Sequence, residues 1–159
     1  MVAFFFKKMK KEQVLQERKE AELLVEQGFV FNAGEKEHHI KPVTYGTILH
    51  ANKYAVDLKL NLLSEDNNSL LRELEANIDP LMKFIAVCVL GNKKDIEEKT
   101  EVLAEELKWS LKPKDAMGIC LAIIQMYDLT NFISSIRLIG TMTITAPKKS
   151  LTTETLIDG

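Results

Sequence analysis

A mainly α fold, a single helical-bundle-like domain with a small β-hairpin in its N-terminal third, follows from three observations. Apolar residues recur at helical spacing through most of the chain. One short stretch, residues 29–41, breaks that rhythm with strand-forming residues on either side of turn material. Proline and glycine fall at the joints between periodic runs rather than within them. The bulk composition agrees: 159 residues, 46% hydrophobic and 28% charged, suit one domain with a core of its own.

Residues 1–28 read as a charged N-terminal helix with an apolar-basic start. KKEQVLQERKEAELLVEQ is rich in Glu, Lys, Gln and Leu, all good helix formers. Val14, Ala21, Leu24 and Val25 share a face, and Gly28 stands where a helix stops. The start itself, Phe4, Phe5 and Phe6 before Lys7, Lys8, Lys10 and Lys11, reverses the order of a secretory signal and is too short for one. It reads as a sticky end laid against the protein's own core, with a lipid or protein contact as the rival.

Residues 29–139 form the helical core domain, with the hairpin at 29–41. Phe29, Val30 and Phe31 favour a strand, Asn32, Ala33 and Gly34 a turn, and His39, Ile40 and Lys41 a return strand. Pro42 delays the next helix and Thr44 caps it. Tyr45, Ile48, Leu49, Asn52, Val56 and Leu60 carry its period. SEDNNS at 64–69 is a loop or cap, and Leu70, Leu71, Leu74 and Ile78 mark another helix. Asp79-Pro80 opens a strongly apolar segment closed by Gly91-Asn92.

Residues 95–111 form a charged amphipathic helix, with Ile96, Leu103, Leu107 and Leu111 in one stripe. Pro113 restarts the chain. AMGICLAIIQMYDLTNFISSIRLI is apolar nearly all round and reads as the central core helix, interrupted near Thr130-Asn131. Residues 140–159, Thr-rich and without an apolar face, read as a flexible tail. The predicted core is Ile48, Leu49, Val56, Leu74, Phe84, Ile85, Val87, Leu103, Leu107, Ile119, Ile123 and Ile124.

The search for chemistry names no catalytic, cofactor-binding or metal-binding residue, and the protein is expected not to be an enzyme. His38 and His39 are adjacent, so on a strand they point to opposite faces and do not share one ion. They read, with His50, as solvated or hairpin-edge residues. Paired CxxC motifs and HExxH are missing. Cys88 and Cys120 lie in apolar runs and read as small hydrophobes in a reducing compartment rather than a disulfide or a nucleophile. Glu97-Glu98 and Glu105-Glu106 belong to a solvated helix face.

A net charge of -2 gives no general pull toward nucleic acid or anionic membrane, and neither is expected as a partner. Lys83 interrupts one long apolar run, and Asp128 and Arg137 another, so no membrane span is expected. What remains is surface for proteins, including self-association. Met82, Met117, Met126 and Met142, with Phe84, Phe132 and Trp109, serve either that surface or the core.

IKPVTYGTILHANKY resembles a segment of the phage tail assembly chaperones, in which a hairpin strand ends in a phrase of the type I-K-P-L-T and runs into the first helix. The matching residues here are Ile40, Lys41, Pro42, Val43, Thr44, Gly46 and Leu49. The later plan is similar too: an apolar helix around 85–90, a turn, a charged helix, a restart at Pro113, and a long apolar helix with Phe132. The resemblance covers roughly residues 29–139. It implies a small cytoplasmic helical protein made during virus assembly, in the host cytoplasm if phage-encoded. It further implies that the protein coats apolar helical stretches of a tape-measure protein, helps tail-tube subunits gather on it, and leaves the finished particle. The alternative is a structural or adaptor protein retained in such a particle. The resemblance carries over no catalytic residue and identifies no partner-binding one.

Overall fold

The computed structural model describes residues 2–58 and 66–144. The side chains of residues 2–9, 143 and 144, the position of Leu60, the first part of the 64–69 stretch and the tail from 145 onward lie outside that description. The described residues are mainly α with one small antiparallel hairpin, in the order α1 (Val2–Gln27), β1 (Phe29–Ala33), β2 (Lys36–Ile40), α2 (Tyr45–Ala55), α3 (Asn67–Leu90), α4 (Lys93–Ser110), α5 (Pro113–Met126) and α6 (Leu129–Ile144). The chain divides into two compact units, Met1–Tyr127 and Asp128–Gly159. The first holds α1 to α5 and the hairpin; α6 is the described part of the second.

The joints follow from single residues. Gly28 ends α1 in the left-handed region, φ 72°, with its N–H donated to the Leu24 carbonyl at 2.9 Å. A Cβ at this position would collide with the Ile40 carbonyl oxygen, because the strand pair begins at once. The strands pair from Phe29↔Ile40 to Ala33↔Lys36. The turn is therefore Gly34-Glu35, later than the expected Asn32–Gly34 group, with Gly34 at φ 63° supplying the positive φ a two-residue hairpin loop needs.

Thr44 caps α2 by accepting from the Thr47 N–H at 3.3 Å. The Thr47 hydroxyl donates to the Gly91 carbonyl at 3.2 Å, which ties the start of α2 to the α3–α4 turn. Asp66 caps α3, and Asn92 caps α4 through the Asp95 N–H at 3.0 Å. Gly91, at φ 68°, closes α3, and Pro113 occupies the first turn of α5.

One joint differs from expectation. Pro80 does not open a helix; it lies inside the 24-residue α3. The ring leaves the carbonyl four residues earlier, at Ala76, without its helical donor. The helix nevertheless continues, since its C-terminal half is held by packing from every side. That half is the real centre of the core. Phe84, Ile85, Ala86, Val87 and Cys88 are all buried, as are Ile96, Leu103 and Leu107 of α4, Ile119 and Ile123 of α5, and Ile40 of the hairpin. Each fully buried aliphatic side chain contributes roughly 1.5–3 kcal/mol.

The segment expected as the central core helix is instead two helices. They are separated at Tyr127-Asp128, where Asp128 takes φ 48°, not at Thr130-Asn131. α5 buries one stripe only, and the described large apolar side chains of α6, from Leu129 to Met142, are exposed. α6 also runs on to Ile144, past the point where the tail was expected to begin. By length and composition, Pro113–Met142 is apolar enough to cross a membrane despite Asp128 and Arg137, a test that core helices of soluble proteins also pass.

Seven of the predicted core residues are buried: Phe84, Ile85, Val87, Leu103, Leu107, Ile119 and Ile123. Ile48 is half-buried. Leu49, Val56, Leu74 and Ile124 are exposed. Helical spacing shows which residues share a face; it does not show whether another element covers that face.

Candidate protein-binding groove

The exposed residues gather in two places. The first is a cleft of about 520 Å³ within the first unit, walled by α3 and α5 and closed at one end by the α4–α5 turn. α3 supplies Leu74, Ile78, Leu81 and Met82; α5 supplies Ala116, Met117, Cys120, Leu121 and Ile124. Leu111, Pro113 and Lys108 complete it. The spacing explains the walls. Leu74, Ile78 and Leu81 stand at i, i+4 and i+7, as do Met117, Leu121 and Ile124, so each helix presents a single ridge. Both helices bury another stripe in the core; the α5 ridge stays exposed, while on α3 Leu74 is exposed and Ile78 and Leu81 are half-buried against the core.

Lys108 is the cationic group of this lining, and it is committed. Its ammonium bonds Asp79 at 2.6 Å and Glu105 at 2.7 Å. These bonds push its pKa up to about 12 and hold both carboxyls below their usual range. The groove floor is therefore apolar, with its charge neutralised at the rim.

The second place is the outer face of α2, where Gly46, Leu49, His50, Asn52, Lys53 and Val56 border a shallow hollow of about 600 Å³. It sits on the stretch that begins with the IKPVT phrase. Separately, Trp109 on α4 is 84% exposed, with its indole N–H donated to Glu105 at 3.0 Å.

The residues weighed for chemistry do not converge. Among the described residues no three or more of His, Cys, Asp and Glu form a group that could hold a metal ion. His38 and His39 do face opposite ways, but His38 is neither solvated nor at an open edge. It is buried and stacked on Phe31, ring centroids 5.3 Å apart, with its Nε2 lacking a hydrogen-bond partner. Burial, helped by nearby Lys36, pushes its pKa down. The turn geometry decides this: with Gly34-Glu35 at the tip, His38 falls opposite Phe31 on the inward face.

Burial raises the Cys88 thiol to about 12 and the Cys120 thiol to about 11, so both are protonated at neutral pH, and both are free. The Tyr127 hydroxyl is buried without a partner, and its pKa is pushed up by the same burial. Glu97 and Glu98 are exposed; Glu105 is held by Lys108, and Glu106 pairs with Lys36 at 2.8 Å. Of the methionines, Met82 and Met126 are in the core, whereas Met117 and Met142 are exposed.

Compared with known proteins, the chain matches no family model, no curated protein and no solved structure. The groove itself was missed in the sequence. Its signal was the repeated i, i+4, i+7 aliphatic spacing on two helices that each also carried a second apolar stripe.

Proposed function

We propose that this protein is a non-enzymatic tail assembly chaperone whose α3–α5 groove takes up apolar helical stretches of a tape-measure protein during phage tail assembly. The observation that carries this reading is the groove: an apolar cleft between α3 and α5, with Leu74, Met117, Leu121 and Ile124 exposed at its edges, Ile78 and Leu81 half-buried on the α3 side, and the nearby lysine neutralised. A helix laid between two helices buries its i, i+3, i+4 and i+7 side chains, and the groove offers that pattern to receive them. The resemblance at Ile40–Lys41–Pro42 and Thr44 supplies the client's identity.

Burial at roughly 25 cal/mol per Å² over a few hundred Å² gives useful but reversible affinity once ordering costs are subtracted. Reversibility suits a chaperone that must release its client as tube subunits arrive. On this reading the protein works in the cytoplasm of the infected cell.

The test is co-purification of the full chain with overlapping tape-measure fragments. Retention of apolar helical fragments by the wild type and their loss from Leu121→Glu is the expected result. Equal capture by both variants would remove the groove from the reading. Recovery of the chain from purified particles at fixed stoichiometry would replace the chaperone with a retained adaptor.

A further inference from the structure

We propose that the outer edge of β1 is a second docking surface, which takes up an extended, uncharged peptide with apolar side chains at alternate positions as a third strand of the hairpin. The surface lies within Met1–Tyr127 and uses a different stripe of α5 from the groove, so it does not rest on the chaperone reading.

The hairpin register carries it. A two-residue loop makes its flanking pair, Ala33 and Lys36, a hydrogen-bonded one, and the pattern alternates from there along the ladder. Phe31↔His38 and Phe29↔Ile40 are therefore hydrogen-bonded pairs too, whereas Val30 and Asn32 turn their N–H and C=O groups away from β2. None of these four backbone groups has a hydrogen-bond partner among the described residues. They point one way from alternate positions. The backbone of an added strand completes that pattern; a helix, whose own groups are already paired, does not.

The two edges of the hairpin are not alike. β2 packs on α3 and carries Glu37 and His39 at its outward positions. β1, FVFNA, has no ionisable residue, proline or bulge, the features that keep a strand edge from pairing. Beside it is a cleft of about 520 Å³, between Phe29, Phe31 and Asn32 of β1 and the N-terminal half of α5. Gly118 and Ala122 keep the α5 wall low, and a Cβ at Gly118 would meet nothing within 4 Å. A strand about 4.8 Å from β1 would send every second side chain into this space. Lys114 and Asp115, one of each sign on that wall, favour neither charge in the guest. A second copy's β1 is the poorer guest, because its Phe29 and Phe31 already pack against its own core and bring no free side chain to the cleft.

Fluorescence anisotropy of the full chain with labelled, end-capped hexapeptides that alternate Thr with Val, Leu or Phe tests the proposal. Binding of at least one of them with Kd below about 1 mM is expected. Val30→Pro removes an outward donor at an edge that tolerates proline, so binding should fall at least about tenfold with far-UV circular dichroism unchanged. Gly118→Leu fills the cleft from the opposite wall and should weaken binding as much, which keeps the proposal open to refutation if Val30→Pro fails to fold. N-methylation of one alternate set of peptide amides should abolish binding and of the other set should spare it, because only one set faces β1. No binding by any of the peptides, binding unchanged in both variants, or both methylated sets binding alike would each overturn it.

A 20-residue amphipathic Leu/Ala/Lys helical peptide separates this surface from the groove. It should not displace the extended peptide, and Leu121→Glu should leave extended-peptide binding intact. Displacement, or loss of binding in Leu121→Glu, would put the guest in the groove and overturn the proposal. Self-association of the wild type that Val30→Pro abolishes would make a second copy the guest and overturn it likewise.

Discussion

The two halves of α3 both carry large aliphatic side chains and give them opposite fates. In the C-terminal half, Ile85 is 0% exposed and its neighbours Phe84, Ala86, Val87 and Cys88 are buried with it. In the N-terminal half, Leu74 is 57% exposed, and Leu70 and Leu71 are exposed too. The hairpin, α2 and α4 pack on the former, while the latter forms one wall of the groove. The difference teaches that a leucine's place is set by what the chain brings against it, and that surplus apolar ridges mark surface to be covered by something else.

The sharpest break of this contrast is Ile85→Ala. It empties part of the core and should cost about 2–5 kcal/mol, read as a lower urea midpoint. An unchanged midpoint would mean that the centre of the core lies elsewhere. Next comes Gly28→Ala, which puts a methyl against the Ile40 carbonyl and a side chain at positive φ. A loss of about 1–3 kcal/mol is expected, with the hairpin amides losing hydrogen-exchange protection first.

His38 supplies a pH test of the buried side. Its folded-state pKa lies below the ordinary value of 6.5, so the unfolded chain binds the proton more readily. Its contribution is fully present above pH 6.5 and is lost as pH falls through the lowered folded value. Thermal melts of the wild type should therefore drop on acidification more steeply than those of His38→Phe. Parallel curves would show that this histidine is not the titrating group.

The smallest effect belongs to the exposed half. Leu74→Ala should change stability by no more than about 0.5 kcal/mol, because Leu74 is exposed and alanine is a good helix former. The same substitution should weaken capture of an apolar helical peptide. A large stability loss at Leu74 would erase the distinction between the halves.

The fold class and most joints were legible because each depended on a local rule: Thr44 at a cap, Gly28 and Gly91 at helix ends, Pro113 in a first turn. Pro80 misled because tertiary packing overrode the local rule that proline ends or begins a helix. The hairpin register shifted because the choice between Asn32–Gly34 and Gly34-Glu35 as the turn rests on which strand face meets α3, and that choice alone put His38 inside. Leu49, Val56, Leu74 and Ile124 were assigned to the core because periodicity reports a shared face and nothing more. The groove needed residues some forty positions apart on α3 and α5 to be brought together, which no window along the chain displays.

The proline within α3 has a consequence for how the groove wall behaves. Without an N–H at Pro80, the hydrogen-bond ladder has a gap within the wall, between Leu74 and Ile78 on one side and Leu81 and Met82 on the other, so unwinding that starts at Asp66 can halt there without spreading into the centre. The gap works as a firebreak: the turns of α3 before Pro80 can loosen and re-form while the buried half beyond it keeps its stability.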